Sequence, residues 1–265
     1  NEILRYKADV ESPQNPIQVN DLSEIHFKNV QFSYPFTTSN QLELNDLSVI
    51  KGETIGVVGK TGSGKTTLFK LLLREYPNMK GAITFSGIPI EQLDLTQLRN
   101  WIGYVPQDQI LFSKSIRENI QFGKEDATDE EIFRVMELAH FLDDIKQLPK
   151  GLDTQVGESG VTLSGGQKQR VALARAFIKD PEILILDDSL SAVDGKTEAN
   201  IIEHLKRERR EKTTFIAAHR LSAVAHADHI IVLEDAKVIE EGTHEELMKA
   251  GGWYKEQYEK QQLEN

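Results

Sequence analysis

Residues Leu163–Asp188 read LSGGQKQRVALARAFIKDPEILILDD. A glycine turn opens the stretch, a basic amphipathic helix follows, and Pro181 stops that helix. Four apolar residues, Ile183–Leu186, then run straight into Asp187 and Asp188. A short apolar run between a helix stop and a pair of acids reads as a buried strand that delivers carboxylates to its C-terminal end. What the two acids serve is answered upstream.

Glu53–Gly59 (ETIGVVG) reads as another buried strand, and a glycine-rich turn and the helical pattern TTLFKLLLREY follow it. Between them, Gly59-Lys60-Thr61-Gly62-Ser63-Gly64-Lys65-Thr66 fits G-x-x-x-x-G-K-[ST] in the strand–turn–helix setting the motif requires. Glycines at 62 and 64 let the backbone wrap around phosphate with successive N–H groups pointing inward. The N-terminus of the helix that opens with Thr66 and Thr67 adds its positive end. Lys65 reaches the β- and γ-phosphates of ATP, and the Thr66 hydroxyl suits Mg²⁺. An apolar strand ending in Asp completes such a site, with Asp187 holding Mg²⁺ through its water shell.

The remainder predicts an α/β domain. Ser23–Tyr34 and Leu42–Ile50 alternate like antiparallel strands, and Ile83–Phe85 and Ile102–Val105 look like further strands. Ser113–Pro149 turns helical, with ATDEEIFRVMELAHFLDDI the clearest amphipathic stretch and Thr128 or Asp129 its N-cap. After Pro181, EILILDD, TTFIAAH and HIIVLED alternate with helices, which favours a parallel sheet flanked by helices. Lys206–Lys212 (KRERREK) reads as a solvated helix end. Residues 1–20, with Pro13 and Pro16 in a polar run, read as a linker.

The chain has 265 residues, 39% apolar and 28% charged, enough for one α/β unit with an appended subdomain. A net charge of −11 argues against nucleic acid as the main partner. The absence of cysteine excludes disulfides and thiolate metal sites. No apolar run approaches the ~20 residues that span a bilayer.

Taken together, the continuous run from Leu163 to Asp188 resembles the nucleotide-binding domain of ATP-binding cassette (ABC) transporters, and the resemblance covers about residues 23–247. Four further landmarks fall in family order. Tyr34 in FSYP matches the aromatic that stacks on adenine, and Gln107 in VPQD the glutamine that links Mg²⁺ and the attacking water to the transmembrane partner. Asp194, ending the run SAVD, matches the loop that communicates across a dimer, and His219 in AAHR the histidine that contacts the γ-phosphate. Tyr34, Gln107 and His219 each have a plainer reading alone: a sheet aromatic, a surface amide, a capped strand end.

The resemblance implies an ABC ATPase with a mixed RecA-like sheet core, an antiparallel β subdomain and an α-helical signature subdomain at about 108–180. The nucleotide-binding domain would run from 21 to 265, and residues 1–20 would lead from a transmembrane domain of the parent chain. Two such domains pack head to tail, so Ser164, Gly165, Gly166 and Gln167 would complete the γ-phosphate cage of a second copy in trans. The place implied is the cytoplasmic face of the cell membrane. Gly157-Glu158-Ser159-Gly160 resembles the short acidic loop of exporters.

One position departs from the family. The residue after Asp187 is normally glutamate, which polarises the attacking water; here it is Asp188. One methylene less withdraws the carboxylate by roughly 1–1.5 Å, and a misplacement of ~1 Å costs ~100-fold in rate. The expectation is a site that binds ATP well and hydrolyses it slowly, in one half of a heterodimeric multidrug exporter whose partner supplies the glutamate. A homodimeric exporter with reduced activity and a soluble ABC ATPase are the alternatives. The latter is disfavoured because only 100 residues separate Gly64 from Ser164, with no heptad run between them.

Overall fold

The computed structural model describes residues 10–37, 39–77, 79–157 and 160–264. Strand β1 (Glu24–Phe32) pairs antiparallel with β2 (Leu42–Ile50). In β1 the buried residues are Ile25 and Phe27, then Val30 and Phe32. Asn29 at φ 50° and a register shift against a neighbouring strand mark a bulge there, which moves the apolar alternation by one residue.

Strand β3 (Thr54–Gly59) leads into α1 (Lys65–Leu72), followed by β4 (Lys80–Phe85), β5 (Ile88–Pro89), α2 (Leu95–Trp101) and β6 (Ile102–Val105). Within the segment expected as a linker, Ile17 donates its N–H to the Gln92 carbonyl, and Val19 exchanges two hydrogen bonds with the Gln97 side chain.

The central helices are α3 (Ile116–Gln121), α4 (Asp129–Leu138), α5 (Leu142–Gln147) and α6 (Gly165–Phe177). Thr128 caps α4, and its hydroxyl and the Glu131 carboxylate satisfy each other's backbone N–H groups. The amphipathic stretch 127–145 is not one helix, because His140 at φ 55° breaks it into α4 and α5. The carbonyl freed at His140 accepts from Arg170 at 3.0 Å, and Arg170 pairs with Asp144 at 2.8 Å, so the break is held from α6.

The chain then forms β7 (Ile183–Asp187), α7 (Gly195–Glu208), β8 (Thr213–Ala217), β9 (His229–Glu234), β10 (Lys237–Gly242), α8 (His244–Ala250) and α9 (Trp253–Glu264). At the end of α7 the charge run departs from a wholly solvated reading. Arg209 is buried, donating to the carbonyls of Pro181 and Thr213 and to the Thr214 hydroxyl, and burial lowers its pKa to about 10.

Among the described residues, ten strands make one sheet in the order β5-β4-β1-β2-β10-β9-β3-β8-β7-β6. The strands from β9 to β6 are parallel, and the β5–β2 end is antiparallel. Strand β10 joins the two regions: it is antiparallel to β9 and meets β2 in parallel at the single register pair Lys237↔Glu43, with a Glu43 N–H to Ala236 carbonyl bond beside it. Strand β7 is buried on both faces, as parallel strands under helices must be. Ile183 and Ile185 join the core that holds β1, β2 and α1, whereas Leu184 and Leu186 join the core of the central and C-terminal helices. The period of two along one strand thus feeds two cores.

Candidate nucleotide site

The phosphate loop is built by the end of β3 and the start of α1. Gly62 and Gly64 take φ of 83° and 111°, left-handed conformations that a side chain resists. A Cβ on Gly64 would also lie 2.8 Å from the Gln41 carbonyl. Lys60, Thr61, Gly62 and Thr66 face solvent, while Gly59, Ser63, Lys65 and Thr67 are buried. The Lys65 ammonium donates to the carbonyls of Gly59 and Lys60 at 2.8 and 3.2 Å, which closes the loop around it. Burial lowers the Lys65 pKa, against the pull of Asp188 and Asp187.

Strand β8 pairs with β3 and β7 with β8, all parallel, so their C-terminal ends share one edge and bring both acids and His219 to the loop's side of the sheet. Asp187 is buried and its pKa is raised by that burial, while hydrogen bonds from Thr66 and Tyr104 pull the other way. The Tyr104 hydroxyl donates to Asp187 Oδ2 at 3.0 Å, and burial beside this carboxylate raises the pKa of the phenol. Asp187 Oδ1, Asp188 Oδ1 and Ser63 Oγ are buried without a protein partner. Buried polar atoms left unpaired call for a partner, whether water, ion or ligand. They sit with a lysine and a threonine hydroxyl at a helix N-terminus, and that donor set fits Mg²⁺ with a nucleoside triphosphate. Asp187 and Thr66 would hold the cation, which neutralises charge on the phosphates.

Asp188 is buried at φ 50°, its N–H bonded to the Ala217 carbonyl. Its Oδ2 lies 3.3 Å from Nε2 of the half-exposed His219. The next residue, Arg220, donates to the carbonyls of Leu190 and Val193 at 3.1 and 2.7 Å and pairs with the buried Glu198 at 3.3 Å. The histidine loop is thereby fastened to the 190–194 loop. Asp194 ends that loop as the N-cap of α7, accepting from the N–H groups of Lys196 and Thr197. Its pKa is lowered to about 2 by the hydrogen bonds from Thr197 and the neighbouring backbone.

The signature residues are not joined to the phosphate loop of their own chain by any hydrogen bond or ion pair among the described residues. Ser164 caps α6 and forms a reciprocal pair with Gln167, whose amide continues to Asp144 at 2.9 Å. Ser164 and Gly165 are exposed. A Cβ on Gly166 would stand 2.9 Å from the Ala192 carbonyl, so the signature packs on the 190–194 loop. Gln169 strengthens that contact by accepting from the Ala192 N–H at 2.9 Å.

Tyr34 lies half-buried against Phe32 and Tyr76, its hydroxyl 2.9 Å from Thr67 Oγ1 and its ring under Lys70. Gln107 is exposed two residues beyond β6. Glu158 and Ser159 of the acidic loop lie outside the described residues. Sequence reading missed Tyr104, Gln169 and Arg220. Tyr104 stands three residues before Gln107 and Arg220 directly follows His219, and that adjacency was the only signal.

A loop, paired acids and a histidine at the end of one sheet, with a capped glycine turn nearby, define a phosphate-loop nucleotide-binding domain. The family model described as ABC transporter matches residues 42–191, and the chain belongs to the ABC transporter family. It is 56% identical over 263 residues to the "Probable multidrug resistance ABC transporter ATP-binding/permease protein YheI" of Bacillus subtilis (strain 168), which covers 99% of this chain and 45% of that protein. It is 45% identical over 234 residues to the "Multidrug resistance-like ATP-binding protein MdlA" of Escherichia coli (strain K12), covering 88% of this chain and 40% of that one. A solved bacterial Atm1-family ABC exporter with ATP bound superposes at a TM-score of 0.91 with 36% identity, over 98% of this chain and 46% of its own. The chain therefore spans less than half the length of these relatives. Its fold is the ABC ATPase fold expected, and ATP-binding domains of this family are ATPases. Among the described residues no helix is long and apolar enough to cross a membrane.

Proposed function

We propose that this chain is the nucleotide-binding domain of one half of a heterodimeric multidrug exporter. It would act at the cytoplasmic face of the membrane, its own site holding ATP with Mg²⁺ and hydrolysing it slowly. The observation that carries the reading is Asp188, a buried acid one carbon shorter than glutamate, with one oxygen against His219 and the other unpaired.

In this reading the loop N–H groups and Lys65 would bind the phosphates, and Thr66, Gln107 and Asp187 would hold Mg²⁺, which would offset phosphate charge. Tyr34 swings from its cluster onto adenine. His219 contacts the γ-phosphate, while Asp188 stops short of the attacking water and leaves it poorly aimed. The intact signature Ser164–Gln167, its first two residues exposed at the N-terminus of α6, serves the phosphate loop of a second nucleotide-binding domain in which a glutamate performs the chemistry. Asp194 and its loop pass the state of one site to the other. A transmembrane domain of the parent chain docks beyond Gln107, where Ile110 and Phe122 stand 70% and 69% exposed. Cargo selection lies in that domain; the relatives' names suggest small drug-like molecules.

The test compares ATP turnover by the chain alone, by Asp188→Glu, and by each mixed with a second cassette that carries the glutamate. The expected result is slow turnover alone, a gain of about 100-fold from the longer acid, and stimulation of the partner. Full-rate hydrolysis by the unmodified chain, with no gain from Asp188→Glu, defeats the proposal.

A further inference from the structure

The C-terminal helix α9 contributes no residue to the nucleotide site described above, yet one of its side chains grips the histidine loop. The helix is anchored first at its start. Trp253 and Tyr254 donate their N–H groups to the Glu240 carboxylate at 2.5 and 3.2 Å, placing negative charge at the helix N-terminus. Tyr254 is fully buried, and its hydroxyl lies 2.8 Å from Nδ1 of His244. Tyr258 stacks on Tyr254 one turn later. Steps of four and three residues put Tyr254, Tyr258 and Gln261 on one face of the helix.

From that face the Gln261 amide spans Arg220. Its Nε2 donates to the His219 carbonyl at 2.8 Å, and its Oε1 accepts from the Leu221 N–H at 2.8 Å. A primary amide offers a donor and an acceptor side by side, and the backbone on either side of one residue offers their complements. The segment so clamped aims His219 toward Asp188 on one side. On the other it holds the Arg220 guanidinium, which fixes the carbonyls of the 190–194 loop. That loop is bonded in turn to the signature helix through Gln169.

We infer that Gln261 is a positioning residue: through this two-bond bridge α9 sets the backbone that aims His219 and Arg220. The inference rests on the reading of His219 as the γ-phosphate contact, and its test separates the two. Two variants of the chain are measured, Gln261→Ala and Gln261→Glu, the latter keeping the acceptor but lacking the donor. In Gln261→Ala, amide exchange at Leu221 rises about tenfold, as for one lost hydrogen bond, and the NMR signals of the His219 ring shift. In Gln261→Glu, Leu221 stays protected while the His219 signals still move. The kcat for ATP falls about tenfold in Gln261→Ala with KM unchanged and Tm within about 2 °C. Unchanged Leu221 exchange and His219 signals overturn the inference, as does a fall in kcat accompanied by equal losses in nucleotide affinity and Tm. His219→Ala is the control. If it leaves kcat intact, the reading of His219 fails while the exchange and ring signals still judge the bridge. If it lowers kcat and Gln261→Ala does not, the positioning role fails alone.

Discussion

Asp187 keeps a carboxylate where burial opposes its charge, and Oδ1 has no protein partner. Because its folded pKa is raised, its ionised form costs stability at neutral pH, and the cost vanishes as pH falls through that pKa. Asp187→Asn keeps the Tyr104 bond and removes the charge. The nucleotide-free protein should therefore melt about 2–4 °C higher, while Mg²⁺-dependent ATP binding is lost; calorimetry with and without nucleotide reads both. Asp194 has the opposite sign. Its folded pKa of about 2 lies below the usual value near 3.9, so its capping bonds support the fold above about pH 4 and fade as pH falls through about 2. Asp194→Ala should lower Tm by about 2–4 °C at pH 7 and make no difference at pH 1.5. The glycine-rich run 59–66 and the apolar strand ending at Asp187 were legible in the sequence because each is a contiguous pattern along the chain. Tyr104, Gln169 and Arg220 were not, since their partners lie 83, 23 and 27–30 residues away and meet them only after folding.

Helix α6 does more than present a signature. Arg175 donates to the carbonyls of Asn119 and Ile110 and to Asn119 Oδ1, and lies over the Phe112 ring. It therefore ties the segment after Gln107 to α3. Arg175→Ala should cost about 2 kcal/mol in urea unfolding and quicken exchange across residues 110–119, with ATP binding intact; equal loosening throughout the chain would contradict that local role. Strands with an apolar alternation or burial on both faces were readable, as in Leu42–Ile50, despite a one-residue shift after Leu44, and Ile183–Asp187. Strand β10 was not, because KVIEEG leaves most of its residues exposed or half-buried and carries little apolar signal. The break between α4 and α5 was equally hidden. It depends on a left-handed His140 whose carbonyl is satisfied from another helix, and apolar periodicity does not register that.

At the scale of the molecule, one sheet carries two cores, and the antiparallel β5–β2 end meets the rest of the sheet where β2 touches β10 at one register pair. Few main-chain bonds hold that junction, and Gly64 of the phosphate loop sits directly over it, close to Gln41, Leu42 and Ala236. A triphosphate gripped by the loop would act as a rivet between the two halves of the protein. Occupancy should therefore be audible at a distance: the Glu43 amide, in a strand that supplies none of the proposed phosphate contacts, should exchange severalfold more slowly once ATP is bound. If that amide is indifferent to nucleotide, the halves are welded by their side chains alone.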